Sequence, residues 1–230
     1  MSAVLEANGY KIDVITFRKD LATWGSRHFR SFPWRRTNDP YQILIAEMML
    51  HRTQAKQVVP TYEQFIKLYP TTKSLAHASE ADINELLHPL GLFWRVRLVY
   101  ALGKDLAIRF NGQVPQQKED LLLLPGVSDY IAGAVRCFAW NLPEPIIDTN
   151  IIRIIGRLFG LEITDSSRRN SQIINLIKKL IDPVSPRTYN YALLDLASEI
   201  CLKRRPPLCS ECPLREHCAY CTEAVLSSKI

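Results

Sequence analysis

Apolar residues recur at spacings of three and four through most of this 230-residue chain, in the runs 12–17, 58–69, 95–108, 131–139, 151–158 and 173–180. That period lets an α-helix bury one face, and no stretch alternates cleanly enough to ask for a strand. Proline and glycine punctuate the gaps, as at Pro33, Pro40, Pro70, Gly91, Asn111-Gly112, Pro125-Gly126 and Pro143. The expectation is an all-α fold of short helices joined by tight turns, with no internal repeat. The polar segment 164–170 reads as a surface loop. Hydrophobic residues at 47% and charged residues at 23% suit a globular chain, and this length buries a core without disulfides. The longest uncharged run, 86–94, is too short to cross a bilayer. Residues 1–10 lack the basic-then-apolar order of a signal peptide, so a cytoplasmic location with no membrane contact is expected. Twenty-nine basic against 23 acidic side chains give +6, which favours an acidic partner, nucleic acid being the commonest.

The segment 41–50, YQILIAEMML, is apolar nearly all round and should be a buried helix, with Asn38 or Asp39 as its cap and Pro40 at its first position. Its one charge is Glu47. A lone buried carboxylate is costly unless partnered, so Glu47 is a candidate acid or base. The plainer alternative is a glutamate on a partly wet face.

Residues 121–139 read LLLLPGVSDYIAGAVRCFA. A helix should end at Leu124, turn through Pro125-Gly126-Val127, and restart with Ser128 or Asp129 as the cap. This is a helix-hairpin-helix element. Free N–H groups from Gly126 through Val127 and Ser128 to Tyr130, with the dipole of the second helix, would hold a phosphate without reading a base. Asp148 then stands where an N-cap belongs, before the helix pattern IIRIIGRLFG. Capping alone would account for it. A carboxylate there could also stabilise positive charge on a deoxyribose ring or orient an attacking water.

Five of the six cysteines fall between 201 and 221, four of them as Cys201-x7-Cys209-x2-Cys212-x5-Cys218. Four thiolates this close can close on one zinc or one iron–sulfur cluster, and spacing alone does not separate the two. Cys221 could be a spare or exchanged ligand. Lys203, Arg204 and Arg205 lie in the first loop, where a cluster would fix them as a basic knuckle against phosphates.

Together these pieces resemble the helix-hairpin-helix DNA glycosylase superfamily of endonuclease III and adenine DNA glycosylase. The resemblance rests on FPWRRTNDPYQILIAEMMLHRTQ (32–54), LPGVSDYIAGAV (124–135), IIDTNIIRIIGRLFG (146–160) and the terminal cysteines. It implies two helical modules flanking a DNA-binding cleft. One is a continuous middle stretch, 32–141, and the other is built from 1–31 plus 142–230 and carries a [4Fe–4S] cluster. The family spacing between the first two cysteines is x6; here it is x7.

Asp148 matches the superfamily's catalytic aspartate and Glu47 the acid that adenine glycosylases use on the purine. Tyr130 stands where bifunctional members carry the lysine that forms a Schiff base. No lysine occurs from 119 to 177, so no near neighbour replaces it and the resemblance implies a monofunctional enzyme without strong strand cleavage. His51 and Arg52 would fill the gap left by a flipped nucleotide. Ser128 replaces a glycine common in the family hairpin and would be strained if that position needed positive φ.

Archaeal G/T mismatch thymine glycosylases share the Glu, Tyr and Asp. The 8-oxoguanine-recognising domain usual in adenine glycosylases has no counterpart in the twelve residues after Cys218, and the wedge begins His51-Arg52-Thr53-Gln54 rather than with glutamine. The expected function is removal of thymine or uracil mispaired with guanine in double-stranded DNA by a monomeric enzyme. The alternatives are adenine removal and, from a different class, a non-catalytic DNA-binding relative.

Overall fold

The computed structural model describes residues 4–91 and 93–222. It divides into two compact units, 31–142 and the pair 1–30 with 143–230.

The continuous unit contains α2 (Pro40–Leu50), α3 (Ala55–Leu68), α4 (Thr72–Ala76), α5 (Glu80–Leu87), α6 (Phe93–Arg109), α7 (Lys118–Leu122) and α8 (Asp129–Trp140). Helix α2 is buried along almost its whole length, from Tyr41 to Met49, and packs on α3 and α8. Such a helix has no solvent face, which is why its sequence shows no amphipathic period. Asp39, not Asn38, is its cap, accepting from Tyr41 N at 2.8 Å.

The unit built from both chain ends contains α1 (Val14–Gly25), α9 (Thr149–Phe159), α10 (Ser171–Leu180) and α11 (Pro186–Glu199). Its core includes Phe17, Leu21, Ile151, Ile155, Phe159, Ile177, Leu193 and Leu196. Helix α1 lies so close on α11 that a Cβ at Gly25 would stand 2.6 Å from Ala192 Cβ. Arg18 caps the far end of α10, its Nε donating to Leu180 O at 3.0 Å.

One expectation needs correcting. The start of the chain is an antiparallel hairpin, β1 (Val4–Ala7) with β2 (Tyr10–Asp13), and Ile12 belongs to β2 rather than to α1. The turn is Asn8-Gly9 with φ of 51° and 79°, the pair of positive angles a two-residue hairpin turn demands. The fold is mostly helical all the same. The segment 164–170 is largely a 3-10 turn, Asp165–Arg169, and is exposed apart from Ser167. No helix among the described residues is long and apolar enough to cross a membrane.

Candidate active site

In the end-built unit, the strongest feature is the start of α9. Asp148 is its N-cap, with Oδ1 accepting from Asn150 N at 2.9 Å and Ile151 N at 2.8 Å. Oδ2 accepts from Asn150 Nδ2 at 2.7 Å. Arg153, one turn on, donates from Nη1 to Asn150 Oδ1 at 3.1 Å and is held by carbonyls of Cys201 and Ala197 at 2.9 Å each. Burial pushes the Asp148 carboxyl above its ordinary range, while the N–H of Ile151, the Asn150 amide and the Arg153 charge pull it back. A carboxylate partly desolvated yet fixed by three donors can stabilise a nearby cation without reorganising. Sequence reading missed Asn150 and Arg153; their signal was two polar side chains placed two and five residues after Asp148 among the isoleucines of α9.

In the continuous unit, Glu47 is 5% exposed inside α2. The hairpin follows from α7 and packs on α2: Gly126 has φ +78°, and a Cβ there would meet Met48 Cε at 2.8 Å. Val127 N donates to Leu124 O at 3.2 Å, which closes the turn. Ser128 has φ −86° and caps α8, accepting from Ile131 N at 3.3 Å. The strain considered for Ser128 therefore does not arise; the left-handed residue of this turn is Gly126. Tyr130 lies half-buried in the first turn of α8.

A second correction concerns lysine. Lys118 lies just outside the lysine-free stretch, and its Nζ stands 2.9 Å from Asp129 Oδ1, beside Tyr130. The ion pair holds the Lys118 side chain at Asp129.

His51 ends α2 and Arg52 follows in a left-handed conformation, φ 62°. The His51 ring meets Trp94 edge-on at 5.7 Å. Burial, then the charges of Arg95 and Arg52, hold His51 below the usual histidine range. Arg95, which sequence reasoning missed, is 2% exposed and donates from Nη1 to Met49 O at 2.7 Å, fixing the end of α2. Burial and Arg52 bring its guanidinium down to about 10.

The C-terminal cysteines follow α11. None of them is in a disulfide. Cys201 Sγ accepts from Arg157 Nη1 at 3.1 Å, and Cys218 Sγ lies 3.4 Å from Arg157 O. Burial, with Cys218, Cys201 and Cys209 around it, pushes the Cys212 thiol up to about 12. Cys221 shares hydrogen bonds with Cys209 and Cys218. The donor set suits a thiophilic centre, and Arg157 offers an N–H to a thiolate. Among the described residues, no His, Cys, Asp or Glu trio stands in metal-ligand geometry. Lys203, Arg204 and Arg205 are exposed on the loop between the first two cysteines.

Residues 45–182 match the family described as HhH-GPD superfamily base excision DNA repair protein. The chain is 40% identical over 195 residues to a thymine-DNA glycosylase of Aeropyrum pernix, covering 83% of this chain and 87% of that one. It is 37% identical to a thymine/uracil-DNA glycosylase of Pyrobaculum aerophilum, covering 88% and 90%. The solved structure of a thermostable thymine-DNA glycosylase superposes with a TM-score of 0.83 at 29% identity, covering 91% of this chain and 97% of that one.

Proposed function

Because the chain belongs to the HhH-GPD superfamily of base excision DNA repair proteins, we propose that it hydrolyses the N-glycosidic bond of thymine or uracil mispaired with guanine in double-stranded DNA. The observation that carries the choice of base is the likeness, over more than four fifths of the chain, to two proteins named for thymine. The bond between C1′ and N1 breaks with its electron pair going to the base. Asp148, held by Asn150 and Ile151, stabilises the sugar cation that remains and takes a proton from the water that adds at C1′. Glu47 bonds the departing base. The hairpin from Gly126 through Val127 and Ser128 grips a phosphate, Tyr130 bears on the flipped nucleotide, and His51 and Arg52 occupy the gap it leaves. Lys203, Arg204 and Arg205 add contacts to the DNA backbone.

With tyrosine at 130 and Lys118 engaged by Asp129, the product is an abasic site, and strands part only after alkali. Cys201, Cys209, Cys212 and Cys218 would hold a [4Fe–4S] cluster, which would tie the loop carrying the three basic residues to the body of its unit. Iron and sulfide content of the purified protein, against zinc, tests that assignment.

The deciding experiment for the function is base release from labelled duplexes bearing T·G, U·G, A·G and A·8-oxoguanine, with and without alkali. Release from T·G and U·G alone, revealed by alkali, is the expected result. Release chiefly from the adenine duplexes makes it an adenine glycosylase, and no release from any makes it a binding protein. Strand cleavage without alkali that disappears in Lys118→Gln would overturn the monofunctional assignment.

A further inference from the structure

Helix α9, the 3-10 turn Asp165–Arg169 and the loop after Cys201 line a cavity of about 460 Å³ whose wall includes Thr149, the residue after Asp148. Its polar lining is Thr149, Arg153, Thr164, Asp165, Arg168 and Lys203, three cations against one carboxylate. Arg153 is immobilised by Cys201 O, Ala197 O and Asn150 Oδ1. It therefore presents a fixed charge, at no ordering cost on binding. The turn that carries Arg168 is locked as well: Thr164 N donates to Ser167 Oγ at 2.9 Å and Ser167 N to Thr164 O at 3.1 Å, with Ser167 buried. Arg168 and Lys203 are exposed at the rim, and neither has an ion-pair partner among the described residues. Thr149 adds a hydroxyl and directly follows Asp148.

We propose that this cavity is a subsite for a phosphodiester of the DNA backbone next to the excised nucleotide, with Arg168 and Lys203 on its oxygens, Thr149 beside them and Arg153 supplying charge from behind. This rests on the proposed DNA substrate, and it goes beyond the hairpin and the Lys203–Arg204–Arg205 knuckle by assigning a built pocket and a further arginine. Asp165 opposes an anion and confines where it can sit.

The test uses the full-length protein and an undamaged duplex, so that no bond is cut. Equilibrium binding is followed by fluorescence anisotropy across a salt series. Arg168→Gln, which spares the Lys203 that the basic knuckle already uses, should weaken binding and flatten the plot of log affinity against log salt by about 1. Asp165→Asn should tighten binding. Lys178→Gln, which removes an equal charge from the exposed face of α10, should leave the slope unchanged. A slope untouched by Arg168→Gln, or changed as much by Lys178→Gln, overturns the subsite. So does a cavity that takes inorganic phosphate, at matched ionic strength, while Arg168→Gln binds duplex like the wild type. Because nothing is cleaved, the outcome is independent of whether Asp148 performs the proposed chemistry: base release lost with the slope effect intact would fault the function and spare the subsite.

Discussion

Asp148 caps α9 through Asn150 N and Ile151 N while burial works against its charge. Its folded-state carboxyl holds a proton more tightly than the same group in the unfolded chain. Its charge is therefore a cost to folding at neutral pH, and that cost is relieved as pH falls through the folded value. Asparagine caps about as well as aspartate. Asp148→Asn should lose base release by about 10²–10³-fold or more yet unfold at a temperature no lower than the wild type, which single-turnover assays and calorimetry check together. A clear drop in melting temperature would make Asp148 structural first. In the proposed chemistry the ionised form is the active one, so the acid limb of the rate profile should lie above the 3.8 of an ordinary aspartate. Asn150→Ala removes a bond that favours the charged form and should move that limb to still higher pH; a pH–rate series reads the shift. At Arg52, the left-handed backbone stores about 1–3 kcal/mol in a residue with a Cβ. Arg52→Gly should stabilise the fold by about 1 kcal/mol while slowing excision, because the side chain that would fill the gap in the duplex is gone.

The hairpin turn shows how an element imposes its own residue. Gly126 is both left-handed and pressed against Met48 and Leu98, so Gly126→Ala meets strain and a clash together, a loss of about 2 kcal/mol or more by denaturant melts. Ser128→Ala should lose only the cap, about 1 kcal/mol. This turn was legible because Pro125-Gly126 and Ser128 are chemically specific at their positions. Helix α9 was legible for the same reason, with Asp148 at its start and Gly160 in the left-handed region at its end. Other elements were not read. Asn8-Gly9 is a strong hairpin signal, but the flanking strands are only four residues each, too short for alternation to register. Helix α11 was passed over because its buried face includes Asn190 and Asp195, polar residues that break the apolar period: Asn190 Nδ2 donates to Pro186 O within the helix and to Glu144 O 46 residues earlier, and Asp195 accepts from Arg30, 165 residues away. Arg95 was missed similarly, as its role is to meet the Met49 carbonyl 46 residues earlier.

Those distant partners are the clue to how the whole chain is tied. The unit of 31–142 is one continuous stretch, whereas the other needs both ends of the chain. Asn8 Nδ2 donates to Gly160 O at 2.8 Å, Asp20 meets His217 at 3.0 Å, and Arg30 Nε donates to Asp195 Oδ1 at 2.5 Å. The last is the most buried of these, with the Asp195 side chain 2% exposed. Losing the guanidinium of such a pair costs about 3–5 kcal/mol, because the carboxylate stays behind in a dry site. Loop-closure entropy makes these long-range contacts late and expensive, and all three lie within the end-built unit. Arg30→Met should therefore lower the stability of the end-built unit selectively. Hydrogen exchange should show amides of α1, α9 and α11 opening at lower denaturant, with those of α2 and α8 keeping their protection. Adding Asp195→Leu should restore much of the loss, since an apolar pair of similar volume is cheaper to bury than a single charge. Uniform loss of protection in both units would mean instead that the chain unfolds as one cooperative body, with the middle stretch unable to stand while the ends are open.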